Sequence, residues 1–167
     1  SLFVAAETKG EIDTLLYLLK EEKVNKVLVD GFCFGDCVEE MKAQNVGLIL
    51  GNVNMMSQIA KHDMKLEKLA ELAEHGNLIA FTNTYNGRSE GREIFIWSAI
   101  EAYRAGVDAE KVVEMMTLSP AKMLGIEERV GTIEAGKDAD LSIFSGHPVT
   151  TYAAKVERSI VNGEVIL

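Results

Sequence analysis

Residues 119–167 read SPAKMLGIEERVGTIEAGKDADLSIFSGHPVTTYAAKVERSIVNGEVIL, and this stretch decides how the rest of the chain is interpreted. Ser119 can accept from first-turn amides, Pro120 suits a position with no amide bond to lose, and Gly125 allows a left-handed stop. A short helix is therefore expected from Ser119 to Leu124. Ala139 to Phe144 alternates apolar and polar, as a half-buried strand does. Asn162-Gly163, between Ser159-Ile160-Val161 and Val165-Ile166-Leu167, is a strong hairpin signal. Gly131, Gly136 and Lys137 spell the start of a phosphate loop, but Asp138 stands where a Ser/Thr would hold magnesium. A strand follows instead of a helix, so the match is read as a strand connection.

Upstream of this stretch the chain alternates strand and helix. Leu2–Ala6, Lys26–Asp30, Val46–Leu50 and Leu78–Thr82 are apolar strands. Glu11–Glu22 has Ile12, Leu15, Leu16 and Leu19 at helical spacing. Further helices are expected over Asp36–Gln44, Met64–His75 and Glu93–Ala105, with Asp108 capping another that runs to Met116. Apolar strands between amphipathic helices imply an α/β fold with a covered parallel sheet. Pattern alone does not separate an open sheet from half of an eight-stranded barrel.

Composition narrows the function classes. A net charge of −9 argues against a nucleic-acid partner. No run long enough to span a bilayer lacks charges, so no membrane partner is expected. The chain opens Ser1-Leu2 directly into a strand-like run, and is expected to be a fragment of a longer protein. A missing signal peptide therefore proves nothing about targeting; a cytoplasmic location is the expectation, and the parent's localisation stays open. Cys33 and Cys37 lack further Cys or His at metal-binding spacing and read as free thiols.

The N/S-P-A-K-x-L-G helix, the G-x-I-x-x-G-K-x-A-D-L-x-I-F segment and the V-N-G hairpin resemble the closing segment of the amidohydrolase superfamily, the metal-dependent hydrolases related to imidazolonepropionase and dihydroorotase. The resemblance implies that residues 1–125 form four consecutive β/α units, the second half of a (β/α)8 barrel. Residues 126–167 would then supply C-terminal strands of a flanking β-sandwich. It also implies hydrolysis of C–N bonds in amides and cyclic amides, with one or two divalent metals, commonly zinc.

The family's ligand positions fall on altered residues. The fifth-strand His position holds Ala5, the sixth-strand E-H-G falls on Val29-Asp30-Gly31, and the eighth-strand T-D falls on Thr82-Asn83. Alanine has no lone pair to donate, and an asparagine amide takes up no proton at neutral pH. No bound metal and no catalytic residue are therefore expected. His62, His75 and His147 read as helix-surface or loop residues without a second ligand nearby. The polar strand ends, Glu7, Asp30, Asn52, Asn83 and Arg88, are ligand-pocket candidates, although turn geometry alone favours such residues there. Glu7 and Asp30 form an acid/base pair only if the fold brings them together. Met55-Met56 and Met115-Met116 read as core or interface filler.

Three readings follow. The chain is a degenerate amidohydrolase piece, inactive alone; or half of an active enzyme whose missing N-terminal half supplies metal ligands; or a self-associating small-molecule binding protein. The expected partners are a second copy or that missing half, because a half-barrel exposes sheet edges.

Overall fold

A computed structural model of the chain describes residues 1–51, 64–85, 88–89 and 93–167, with backbone alone at 84–85, 88–89 and 93–94. Four strands, β1 (Leu2–Ala5), β2 (Lys26–Val29), β3 (Gly47–Gly51) and β4 (Ile79–Thr82), lie side by side in chain order. All three pairings are parallel: Leu2 faces Lys26, Leu28 faces Leu48, and Leu50 faces Phe81.

Helices connect and cover this sheet. They are α1 (Lys9–Leu18), α2 (Val38–Ala43, preceded by a 3-10 turn over Phe34–Asp36), α3 (Lys68–His75), α4 (Glu93–Arg104), α5 (Ala109–Met116) and α6 (Leu118–Leu124). Parallel strands need such crossovers, and the crossovers leave no room for water on the covered face. Ile12, Leu28, Phe32, Phe34, Met41, Leu48, Leu50, Leu69, Leu72 and Ile79 are fully buried as a result. Each large apolar side chain so buried contributes roughly 1.5–3 kcal/mol.

The helix boundaries differ from the sequence expectation for local reasons. α1 starts two residues earlier, at Lys9, because Thr8 and Glu11 form a reciprocal capping box. It ends at Leu18 rather than Glu22. α3 begins at Lys68 rather than Met64, and closes on left-handed Gly76. Ser119 is not the cap of α6: the helix begins at Leu118, with Thr117 at the cap position, and Ser119 is buried inside the first turn. The Asp108 cap is as expected, its carboxylate accepting from the amides of Glu110 and Lys111 at 3.0 and 3.3 Å. Gly125 takes the left-handed stop with φ 71°.

The last segment forms an antiparallel sheet of β7 (Leu141–Phe144), β8 (Val156–Val161) and β9 (Glu164–Val165). Asn162 and Gly163 turn between β8 and β9 with φ 51° and 81°, the double left-handed geometry that Asn-Gly favours. A two-residue pair, β5 (Thr84–Tyr85) with β6 (Arg88–Ser89), sits after β4. The sequence between them is Asn86-Gly87, a hairpin signal that the reading of strand and helix periods passed over.

Lys137 explains why the phosphate-loop resemblance is accidental. Its ammonium donates to the Glu127 carbonyl at 2.7 Å and to Thr132 Oγ1 at 2.6 Å, and so is spent on holding residues 127–138 together. Arg129 and Asp138 reinforce the loop with an ion pair of 2.6 Å. Gly131, at φ 98°, lies so close to α6 that a Cβ would stand 2.9 Å from that of Ala121.

Buried Asn77 ties α2, β3 and α3 together. Its amide nitrogen donates to the carbonyls of Met41 at 3.2 Å and Val46 at 2.9 Å, and its oxygen meets His75 Nδ1 at 2.9 Å. Asn77→Ala is expected to cost about 1–3 kcal/mol by stranding buried acceptors, measured by urea denaturation. An unchanged midpoint would remove this residue from the account.

Candidate functional site

Parallel pairing places the carboxyl ends of β1 to β4 along one edge of the sheet. Ala5 closes β1, Asp30 follows β2, and Asn83 follows β4. Functional groups of β/α proteins emerge at this edge. Asn52, Asn54, Met55, Met56, His62 and Asn86 lie outside the described residues, and of Arg88 the backbone alone is described, in β6.

The β1 end is clamped by its own helix cap. Glu11 Oε2 accepts from the amides of Glu7 at 3.0 Å and Thr8 at 2.9 Å, and from Thr8 Oγ1 at 2.9 Å. These bonds, the Thr8 amide foremost, hold the Glu11 carboxyl below its ordinary range. The Glu7 carbonyl in turn accepts from the Cys33 amide at 3.3 Å, which joins the β1 and β2 end loops.

Asp30 has an unusual backbone for a side-chain-bearing residue, with φ 55°. Aspartate visits this left-handed region more readily than most residues. Its amide donates to the Ile49 carbonyl at 3.0 Å and its carbonyl accepts from the Phe32 amide at 2.8 Å. The next residue is a glycine in a tight space: a Cβ on Gly31 would lie 2.3 Å from Leu28 Cδ2 and 3.0 Å from Leu48 Cδ1, so those leucine side chains would have to shift. Asp30 is half-buried, and its Oδ1 is buried with no hydrogen-bond partner among the described residues. Burial first, and the charge of Glu7 second, raise its carboxyl above the ordinary aspartate range. The fold thus brings Glu7 and Asp30 within electrostatic reach of each other.

The donor set does not fit a zinc centre. Zinc takes three or four N, S or O ligands. Ala5 offers none, Asn83 is a half-buried neutral amide, and Asp30 is one ionisable donor. Among the described residues no group of three or more His, Cys, Asp or Glu side chains gathers as a metal site.

The described histidines are otherwise engaged. His75 meets Asn77, and His147 Nδ1 accepts from the amides of Val149 at 3.2 Å and Thr150 at 3.3 Å. His147 Nε2 is 3.6 Å from a Glu110 carboxylate oxygen. Cys33 and Cys37 are not joined in a disulfide. Cys37 is buried 3.4 Å from Asp13 Oδ1, and burial pushes its thiol up to about 12, so it holds its proton.

Comparison with known proteins gives this edge its context. The amidohydrolase family profile matches residues 4–166. An imidazolonepropionase from Thermoplasma acidophilum is 51% identical over 39 residues, 23% of this chain and 10% of that protein. A 5-methylthioadenosine/S-adenosylhomocysteine deaminase from Thermoanaerobacter pseudethanolicus is 26% identical over 147 residues, covering 79% of this chain and 34% of the deaminase. Among solved structures, an amidohydrolase from Thermotoga maritima superposes with TM-score 0.82 at 28% identity, covering 99% of this chain and 43% of that one. The chain belongs to the amidohydrolase family. Its fold is a mixed α/β arrangement on a parallel sheet with amidohydrolases as structural neighbours, and it spans less than half the length of these relatives.

Asp30 also predicts a pH dependence. Its carboxyl titrates higher folded than unfolded, so the penalty on its charge is absent at low pH and appears as pH rises through the folded value. Asp30→Asn keeps the left-handed backbone, and is expected to raise the melting temperature at pH 7 but not near pH 3. An equal shift at both pH values would contradict the buried-charge account. Gly31→Ala is expected to cost about 1–3 kcal/mol through overpacking against Leu28 and Leu48, read from the denaturation midpoint.

Proposed function

We propose that residues 1–125 are the second half of an amidohydrolase barrel and residues 126–167 strands of its flanking sandwich domain. In this reading the strand ends bind a small molecule, and the chain hydrolyses nothing by itself. The observation that carries the proposal is the donor set: Ala5, Asp30 and Asn83 stand where the family resemblance implies metal ligands. A hydrolytic site needs a held, activated water, and one carboxyl with an amide and a methyl group does not supply that hold.

What the edge offers a ligand is polar recognition. Asp30 and Glu7 present two nearby carboxyls, and burial raises that of Asp30 above the ordinary aspartate range. A protonated Asp30 donates a hydrogen bond and an ionised one accepts two, so the pair suits a ligand with amide or amine groups. Asn83 adds an amide, and Asn52 and Arg88 complete the proposed lining.

The second reading is half of an active metal-dependent hydrolase acting on C–N bonds, with metal ligands supplied by an N-terminal half-barrel. It is favoured by the share of its relatives that the chain spans, 43% of the Thermotoga amidohydrolase. Structural neighbours also include an adenosine deaminase from Xanthomonas campestris with bound zinc, at TM-score 0.65 and 21% identity, covering 96% of this chain and 44% of that one.

Both readings involve association, because the open edge of β1 carries half-exposed Leu2 and Phe3. Sedimentation velocity is expected to show a dimer or larger species. A stable monomer at all concentrations would count against the half-barrel.

Zinc content tests the first reading. The purified chain, exposed to zinc and desalted, is expected to retain no stoichiometric metal. Ala5→His combined with Asp30→His and Asn83→Asp is expected to retain it. Stoichiometric zinc on the unaltered chain, lost in Asp30→Asn, would overturn the first reading.

A further inference from the structure

A groove of about 480 Å³ lies between α1 and α2, on the helical side of the molecule. Asp13, Leu16, Tyr17, Glu21, Glu40 and Gln44 line it, with Lys20 and Ala43. Its floor is fixed. Gln44 donates through Nε2 to the Leu16 carbonyl at 3.2 Å and accepts from the Lys26 ammonium at 3.3 Å, so its amide spans the two helices. Leu16 is buried beneath, while Tyr17 on the wall is 80% exposed, which leaves most of its ring uncovered.

The charges are divided unevenly between committed and uncommitted groups. Asp13 is engaged by the Lys9 ammonium at 2.6 Å and by the Cys37 thiol at 3.4 Å. Among the described residues Glu21 and Glu40 form no ion pair, and they share the rim with one ammonium, that of Lys20. α1 has no basic residue in its last turn to offset its carbonyl end, which adds negative potential where the helix stops at Leu18.

Floor and rim together match one kind of group. An aliphatic stem fits over Leu16 and Ala43, a delocalised cation stacks on an open tyrosine ring, and the charged head meets carboxylates at the rim. An acidic ligand would meet repulsion there, and a purely apolar one would leave the carboxylates desolvated. We infer that the α1–α2 groove docks an arginine or lysine side chain presented by a partner protein. The groove lies away from the strand-end edge, so this inference stands independently of the proposed function.

The test uses the full chain and a defined probe, an alanine-based helical peptide bearing two arginines four residues apart, with its citrulline counterpart. Amide chemical shifts are followed during titration. Saturable shifts at Leu16, Tyr17 and Gln44 are expected with the arginine peptide and not with the citrulline one. Glu21→Gln with Glu40→Gln is expected to weaken binding about fivefold, and Tyr17→Ala about threefold. These side chains are exposed, and unchanged circular dichroism will show that the variants fold.

Equal binding of the citrulline peptide, or unchanged affinity in the double glutamine variant, would overturn the inference. So would shifts confined to other surfaces, or tighter binding of a glutamate peptide. If the unaltered chain is dimeric and the double variant monomeric by sedimentation, the occupant is a second copy and the assignment to a partner protein is wrong.

Discussion

Parallel pairing of short apolar strands is the constraint from which the rest follows. β2 and β3 have neighbours on both sides and residues such as Leu28, Leu48 and Leu50 with essentially no exposure. A parallel ladder requires a crossover between strands, and each crossover here is amphipathic enough to cover the sheet. The same pairing rule brings every strand's carboxyl end to one edge. Core and candidate site are therefore two consequences of one arrangement.

At that edge, packing and chemistry meet in Asp30-Gly31. Gly31 carries no Cβ where Leu28 and Leu48 occupy the space, and Asp30 turns left-handed just before it. The turn leaves one carboxylate oxygen buried beside Glu7 and, among the described residues, unpartnered.

The family resemblance of the closing segment has a structural cause that is separate from catalysis. Lys137, Gly131 and the Arg129–Asp138 pair hold a tight connection against α6, and Asp140 Oδ1 accepts from the Asn162 amide at 2.8 Å. Such contacts require particular residues whether or not a metal is bound elsewhere.

Helix faces, the Asp108 cap, the Gly125 stop and the Asn162-Gly163 turn were legible in the sequence, since each rests on contacts a few residues apart. Motif resemblance pointed to Ala5, Asp30 and Asn83 as strand-end positions, and each does lie at the carboxyl end of its strand. What distant contacts decide could not be read there: the burial of Ser119 inside α6 and the Asn77 tie between helices. The approach of Glu7 to Asp30 belongs with these. Sequence gives each residue's chemistry and local period, whereas the distance between two strand ends exists only once the sheet has formed.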